Sequence, residues 1–126
     1  MQHTIQRWRR NGAEIASVAL SGAASYEGIA SLLRDLESIA ASGVRHFIID
    51  ESDLTPGLIT PAEIRRIASM FQESRSLGTA RVAVIAPSPV IYGLNRMVHG
   101  FASDAVGERI AIFRAVGDGL AWLVPA

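Results

Sequence analysis

The chain has 126 residues, 49% hydrophobic and 19% charged, with twelve basic residues against twelve acidic ones. That composition suits one globular domain, residues 1–126, able to bury roughly two-thirds of its unfolded surface, and its zero net charge argues against nucleic acid or an anionic membrane as a partner. Every basic residue is Arg, which excludes a Schiff-base or phosphate-loop lysine; the absence of Cys excludes disulfides, thiolate metal sites and thiol nucleophiles.

The N-terminus carries arginines but no apolar targeting core, and no apolar run approaches membrane-spanning length, so a cytoplasmic protein is expected. His3 to Arg10 alternates loosely, Asn11-Gly12 interrupts, and Ala13 to Leu20 alternates again. Asn-Gly between two such runs predicts a hairpin, because both central residues of a type I′ turn need positive φ. Arg7, Arg9 and Arg10 beside Trp8 are the charges of an edge strand that blocks further pairing.

Ser21-Gly22 reads as the end of the second strand, and from Ser25 the period becomes helical. Ile29, Leu32, Leu33, Leu36 and Ala40 share a face, and Gly43 is the stop. Val44 to Ile49 is a buried strand ending on Asp50, with a polar loop expected from Glu51 to Ile59. Thr60-Pro61-Ala62-Glu63 then starts a helix: Thr60 is the N-cap, Pro61 fits the first turn, and Glu63 completes a capping box. That helix runs to about Leu77, with Ile64, Ile67, Ala68 and Phe71 inward, and Gly78 closes it.

Arg81 to Ala86 is a strand apolar on both faces. Ser88-Pro89 opens a third helix, expected to bury Val90, Leu94, Met97, Val98 and Phe101 and to carry Tyr92, Arg96, His99 and Ser103 outward. A fifth strand, Arg109 to Arg114, and a short helix from Asp118 to Val124 complete the order β-β-α-β-α-β-α-β-α. This is an α/β domain with a mixed five-stranded sheet: an N-terminal hairpin, then strand–helix alternation with right-handed crossovers and flanking helices. Strand order is left open.

No catalytic motif emerges. Gly117-Asp118-Gly119 lacks the third glycine of a dinucleotide fingerprint, since Trp122 stands there. There is no nucleophile elbow and no His-Glu-x-x-His. His3, His46 and His99 fall on separate elements without ligand spacing. Asp50, Glu51 and Asp53 lack the glycine and distal glutamate of a calcium loop, so solvated loop acids are expected. No cofactor, metal or catalytic residue is assigned.

The hairpin opening, the strand ending in Asp50, Ala86-Pro87-Ser88-Pro89 followed by Tyr92-Gly93 and Arg96-Met97, and the closing Phe113-Arg114 and Ala121-Trp122-Leu123 together resemble the SpoIIAA-like proteins. These are small bacterial domains grouped with STAS (anti-sigma-factor antagonist) and Sec14-like folds, and the resemblance covers nearly the whole chain. It implies a mixed sheet with flanking helices, no established enzymatic role, and a regulatory or ligand-binding module. STAS antagonists carry Asp-x-Ser after the third strand and a phosphorylated serine at the next helix start. Asp50-Glu51-Ser52 matches the first part; Pro61 or Ala62 stands at the phosphoacceptor position, which puts the phospho-switch in doubt.

Three functions follow as expectations. The first is a non-enzymatic interaction module docking a protein through the surface from Asp50 to Arg66. The second is a binder of a small apolar, lipid-like molecule between the second and third helices; the third is an unrecognised hydrolase with a Ser–His–Asp set assembled in space. A rim formed by Asp50, Ser52, Thr60, Ser88, Tyr92 and Arg96 is the expected binding site for an anionic group or a partner's acidic residue, with the Arg96 guanidinium over the Tyr92 ring. Homodimerisation is expected from Trp8 on an edge strand and Tyr92 on an outer helix face.

Overall fold

A computed structural model describes residues 1–125, and of residues 103–107 the backbone alone. The five strands are β1 (Gln2–Arg10), β2 (Ala13–Ala23), β3 (His46–Thr55), β4 (Arg81–Ile85) and β5 (Ile110–Phe113). The helices are α1 (Tyr26–Ala41), α2 (Pro61–Glu73), α3 (Pro89–Val106) and α4 (Val116–Leu123). The strands lie in the sheet in chain order, β1-β2-β3-β4-β5. Only the β1–β2 pair is antiparallel; every later pair is parallel. The hairpin turns on Asn11 and Gly12, at φ 49° and 83°, the paired positive values of a type I′ turn.

Because each parallel strand is added beside its predecessor, right-handed crossovers set α1, α2 and α3 side by side on one face. The main core lies beneath them: Val18 and Leu20 of β2, Phe47 and Ile49 of β3, Val82 and Val84 of β4, with Leu33 and Leu36 of α1, Ile67 of α2 and Ile91 of α3. The alternate residues Ile15, Ile48, Ala83 and Ile85 meet Leu123 and Val124 on the opposite face, which α4 covers. β3 and β4 are interior strands, which explains their continuous apolar runs.

The chain behind α4 crosses that face back to the hairpin. Arg10 Nε donates to the Val124 carbonyl at 3.0 Å and Asn11 Nδ2 to the Pro125 carbonyl at 3.2 Å. At the other end of the helical layer, the Glu37 carboxylate accepts from the Ser74 hydroxyl and from the Ser76 and Leu77 amides, at 3.2 Å each, fastening α1 to the chain that leaves α2. Those bonds, the Ser74 hydroxyl first, hold its pKa below the usual carboxylate value against the opposing effect of burial.

Five expectations are corrected. β2 does not end at Ser21-Gly22: the register shifts between Ala19 and Ser21, Gly22 takes φ 86°, and the strand continues to Ala23. A bulge with glycine at positive φ looks in sequence like a turn, because both use the same residue for the same reason. β3 does not end at Asp50 but pairs with β2 as far as Thr55, so the loop before α2 shrinks to residues 56–60. α2 stops at Glu73, with Ser74 as C-cap, and Leu77–Thr79 forms a separate 3-10 turn. α4 begins at Val116, two residues early.

The fifth correction is to α3, which is turned by about one residue from the expected orientation. Among its described side chains Ile91 and Ala102 are buried, and Leu94, Asn95 and Val98 are half-buried beside them. Val90, Met97 and Phe101 are 57%, 47% and 46% exposed. The helix is apolar around most of its circumference, so two stripes fit helical spacing; close packing on the sheet selected the one holding Ala102. No described helix is long and apolar enough to cross a membrane.

Candidate functional site

Strand alternation decides which side chains reach the helical face. Phe47 and Ile49 point into the main core and Ile48 into the other, so Asp50 falls on the α4 side and Glu51 beneath the helices. Glu51 is 9% exposed and is the buried charged residue of the described chain. It opens on a cavity of about 90 Å³ among α1, α2, α3 and the sheet, otherwise lined by aliphatic and aromatic side chains apart from Asn95. Asn95 Nδ2 donates to Glu51 Oε1 at 2.5 Å and to the Ile91 carbonyl at 2.9 Å. Burial pushes the Glu51 carboxyl up to about 7; the Asn95 bond pulls it down less, and Asp50 adds a smaller upward push. Glu51 is therefore no solvated loop acid, which corrects the sequence expectation.

The expected rim is divided by the sheet. Asp50 Oδ1 accepts from the Ser52 amide at 2.9 Å and the Ser52 hydroxyl at 2.5 Å. Asp50 borders a groove with Trp8, Ser17 and Leu120 on the α4 face. Tyr92 and Arg96 ride on α3, on the other side. The Arg96 guanidinium stands 6.0 Å from the Tyr92 ring centre, with Nη1 3.5 Å from the phenol oxygen. Arg114, not foreseen, stands 5.6 Å from the same ring and donates to the Pro87 carbonyl at 3.1 Å. Thr60 is engaged in the capping box: Glu63 N donates to Thr60 Oγ1 at 3.2 Å and Thr60 N to Glu63 Oε1 at 2.9 Å. The Ser88 carbonyl accepts from the Tyr92 amide at 2.8 Å, the first turn of α3. The Ser103 side chain lies outside the described residues.

A second feature is the outer surface of α2 and α3. Here Val90, Met97 and Phe101 of α3 are exposed, and a cation of α2 stands over Phe101. The Arg65 guanidinium stands 5.4 Å from the Phe101 ring centre, and Gln72 Nε2 donates to the Phe101 carbonyl at 3.3 Å. Arg66 reaches the Tyr26 ring at 5.9 Å. The ion pairs among the described residues are His3–Asp35 and Arg7–Glu14, so Arg65, Arg66 and Arg96 have no acidic partner there. Met70 of α2 is half-buried against the core and takes no part in this surface.

Among the described residues no three His, Cys, Asp or Glu side chains cluster as a metal site. The sheet parts Glu51 from Asp50, and no described serine hydroxyl bonds His99. Trp8 is 37% exposed and donates from Nε1 to the Ser17 hydroxyl.

Glu51 and Asn95 are what sequence reading missed. The signal was there: Phe47, Ile49, Glu51 at period two, and Asn95 one turn after Ile91. Ending the strand at Asp50 hid both.

Among the solved structures that match the chain, two do so along nearly its whole length. An uncharacterised DUF3478-family protein with a SpoIIAA-like fold, from Shewanella loihica PV-4, is 21% identical; the match covers 96% of this chain and 93% of that one, at a TM-score of 0.62. An anti-sigma factor antagonist from Mycobacterium paratuberculosis is 16% identical over 97% of this chain and 94% of that one, at a TM-score of 0.54. No family model and no curated protein matches the sequence. Identity this low carries architecture rather than activity, and the architecture agrees from the hairpin to the last helix: the chain has the SpoIIAA-like fold.

Proposed function

We propose that this chain is a non-enzymatic regulatory module that docks a partner protein on the outer surface of α2 and α3. The observation that carries the reading is the apolar stripe Val90–Met97–Phe101, left exposed with Arg65 over Phe101 and Arg96 on the same helix; neither of these arginines nor Arg66 has an ion-pair partner among the described residues. Desolvating an apolar stripe supplies affinity, and unpaired cations around it select orientation. The fitting occupant is an amphipathic segment with acidic residues flanking apolar ones. The likeness to an anti-sigma factor antagonist supports a protein-binding role. On this reading docking is not gated by a phosphoserine at the start of α2, where Pro61 and Ala62 stand and the Thr60 hydroxyl is held by the capping box. Arg96 belongs to this surface, while Asp50 and Ser52 of the expected rim serve the other face.

A photo-crosslinker placed at Met97 in the source cells is expected to trap a partner chain. Arg65→Glu with Arg66→Glu should abolish trapping, and acid-to-Lys changes in the partner segment should restore it. Trapping of a second copy of this chain, the homodimer expected from Trp8 and Tyr92, would overturn the reading, as would trapping indifferent to the charge reversals.

A second reading, retention of a small apolar ligand, is favoured by the cavity beneath the helices. Native mass spectrometry of the protein purified from its own cells checks it through a retained mass that denaturation releases.

A further inference from the structure

The walls of the cavity are Leu20, Leu33, Ile49, Ile64, Ile67 and Ile91 and their neighbours, with two polar groups on one side. The hydrogen-bonding capacity of those two groups is only partly used. Both Asn95 amide hydrogens are taken, by Glu51 Oε1 and the Ile91 carbonyl, which leaves Asn95 Oδ1 as an acceptor. Glu51 Oε2 has no described partner, and no other residue lining the cavity, from β2, α1, α2, β4 or α3, is titratable. Asp50, next along β3, faces the opposite side of the sheet.

Resting on the reading that this cavity holds a ligand, we propose that its occupant is a small apolar molecule carrying a single hydroxyl, which Glu51 and Asn95 recognise together. Burial pushes the Glu51 carboxyl up to about 7, so its protonated form is accessible near neutral pH, and in that form Oε2 donates while Asn95 Oδ1 accepts. A hydroxyl both accepts and donates, so one group satisfies both; a hydrocarbon satisfies neither. An amine would need the carboxyl ionised against apolar walls, and a ligand carboxylate would place a second acid beside the first. The volume, about 90 Å³, is smaller than the roughly 150 Å³ cavity known to take benzene, so the occupant is an alcohol smaller than benzene, of about four or five non-hydrogen atoms.

The test is a methyl-NMR titration of the intact chain at about pH 6 with isobutanol, its hydrocarbon isostere isopentane, isobutylamine and isobutyrate. Isobutanol is expected to shift the Ile64, Ile67 and Ile91 methyls and to bind at least about tenfold more tightly than isopentane, as hydrogen-bonding pockets discriminate. Filling the cavity excludes water from Glu51 and favours its protonated form. Wild-type affinity should therefore fall about tenfold as pH rises to about 9. Glu51→Gln, whose amide keeps a donor, should bind isobutanol with no such dependence.

Equal binding of isopentane, or tighter binding of the amine or the carboxylate, would overturn the hydroxyl class while leaving a ligand cavity. Shifts from none of the four compounds would overturn the ligand reading itself. A wild-type affinity independent of pH would overturn the part given to Glu51, and that measurement needs no variant.

Discussion

At the scale of single residues, Glu51 and Thr60 show how differently two polar side chains on neighbouring elements can act. Glu51 costs stability when charged. The sign follows from a folded pKa of about 7 against 4.5 in the unfolded chain. Below about pH 4.5 both states hold the proton and there is no penalty; between 4.5 and 7 only the folded state holds it, so stability falls as pH rises; above 7 the penalty is complete. Glu51→Gln is expected to match the wild type near pH 4.5 in urea denaturation and to exceed it by up to about 3 kcal/mol at about pH 8. A wild-type advantage at about pH 8 would refute the burial argument. Thr60 contributes in the opposite sense, through the amide of Glu63. Thr60→Ala should lower stability by about 1 kcal/mol in thermal or urea melts. A neutral effect on the melt together with lost partner trapping would favour a switch over a cap. The cap was legible in sequence because its signals lie within four residues; the burial of Glu51 depends on α3, more than forty residues away, and only strand alternation hinted at it.

At the scale of elements, close approaches matter more than propensities. The loop from β3 to α2 passes so near the start of α1 that a Cβ on Gly57 would lie 1.7 Å from the Ala24 carbonyl oxygen. The atom the new Cβ would meet is backbone and cannot swing aside, so Gly57→Ala must move the loop or the chain between β2 and α1, at a cost of about 2 kcal/mol. Gly93 is the contrast: it sits in α3 with nothing within 4 Å of the added carbon, and Gly93→Ala should stabilise by up to about 1 kcal/mol in the same urea assay. The elements themselves were readable, from the Asn11-Gly12 turn, the Ser25 and Thr60 caps and the helical spacing of Leu32, Leu33 and Leu36. What sequence left undecided was orientation where an element is apolar on more than one side. α3 is the case: Val90, Met97 and Phe101 compete with Ile91, Val98 and Ala102 for the core, and the distance to α2 and the sheet selects between them. The exposed stripe proposed for docking is the set that lost this competition.

At the scale of the whole molecule, strand order was beyond single-sequence reading, since the alternation of strands and helices fits several orders with equal patterning. The observed order has a mechanical consequence. A sheet assembled in chain order has no strand inserted late between two others, so β5 and then β4 could in principle peel from one edge while the hairpin stayed folded. The segment after α4 opposes this. Leaving β5 at one edge, the chain runs back over the second face and is held at the opposite edge by Arg10 and Asn11. It acts as a buckle fastened across the width of the sheet, so the two edges should open in one step. Native-state hydrogen exchange is expected to give the β5 amides nearly the same opening free energy as those of β1 and β2. Arg10→Ala should unfasten the buckle, lowering protection in β5 and α4 by about 1 kcal/mol more than in the hairpin. Equal loss along all five strands would instead mean that the contact merely adds to global stability. With the buckle closed, the domain transmits strain from one edge of its sheet to the other; a pull on either chain end would load the entire sheet rather than unzip it.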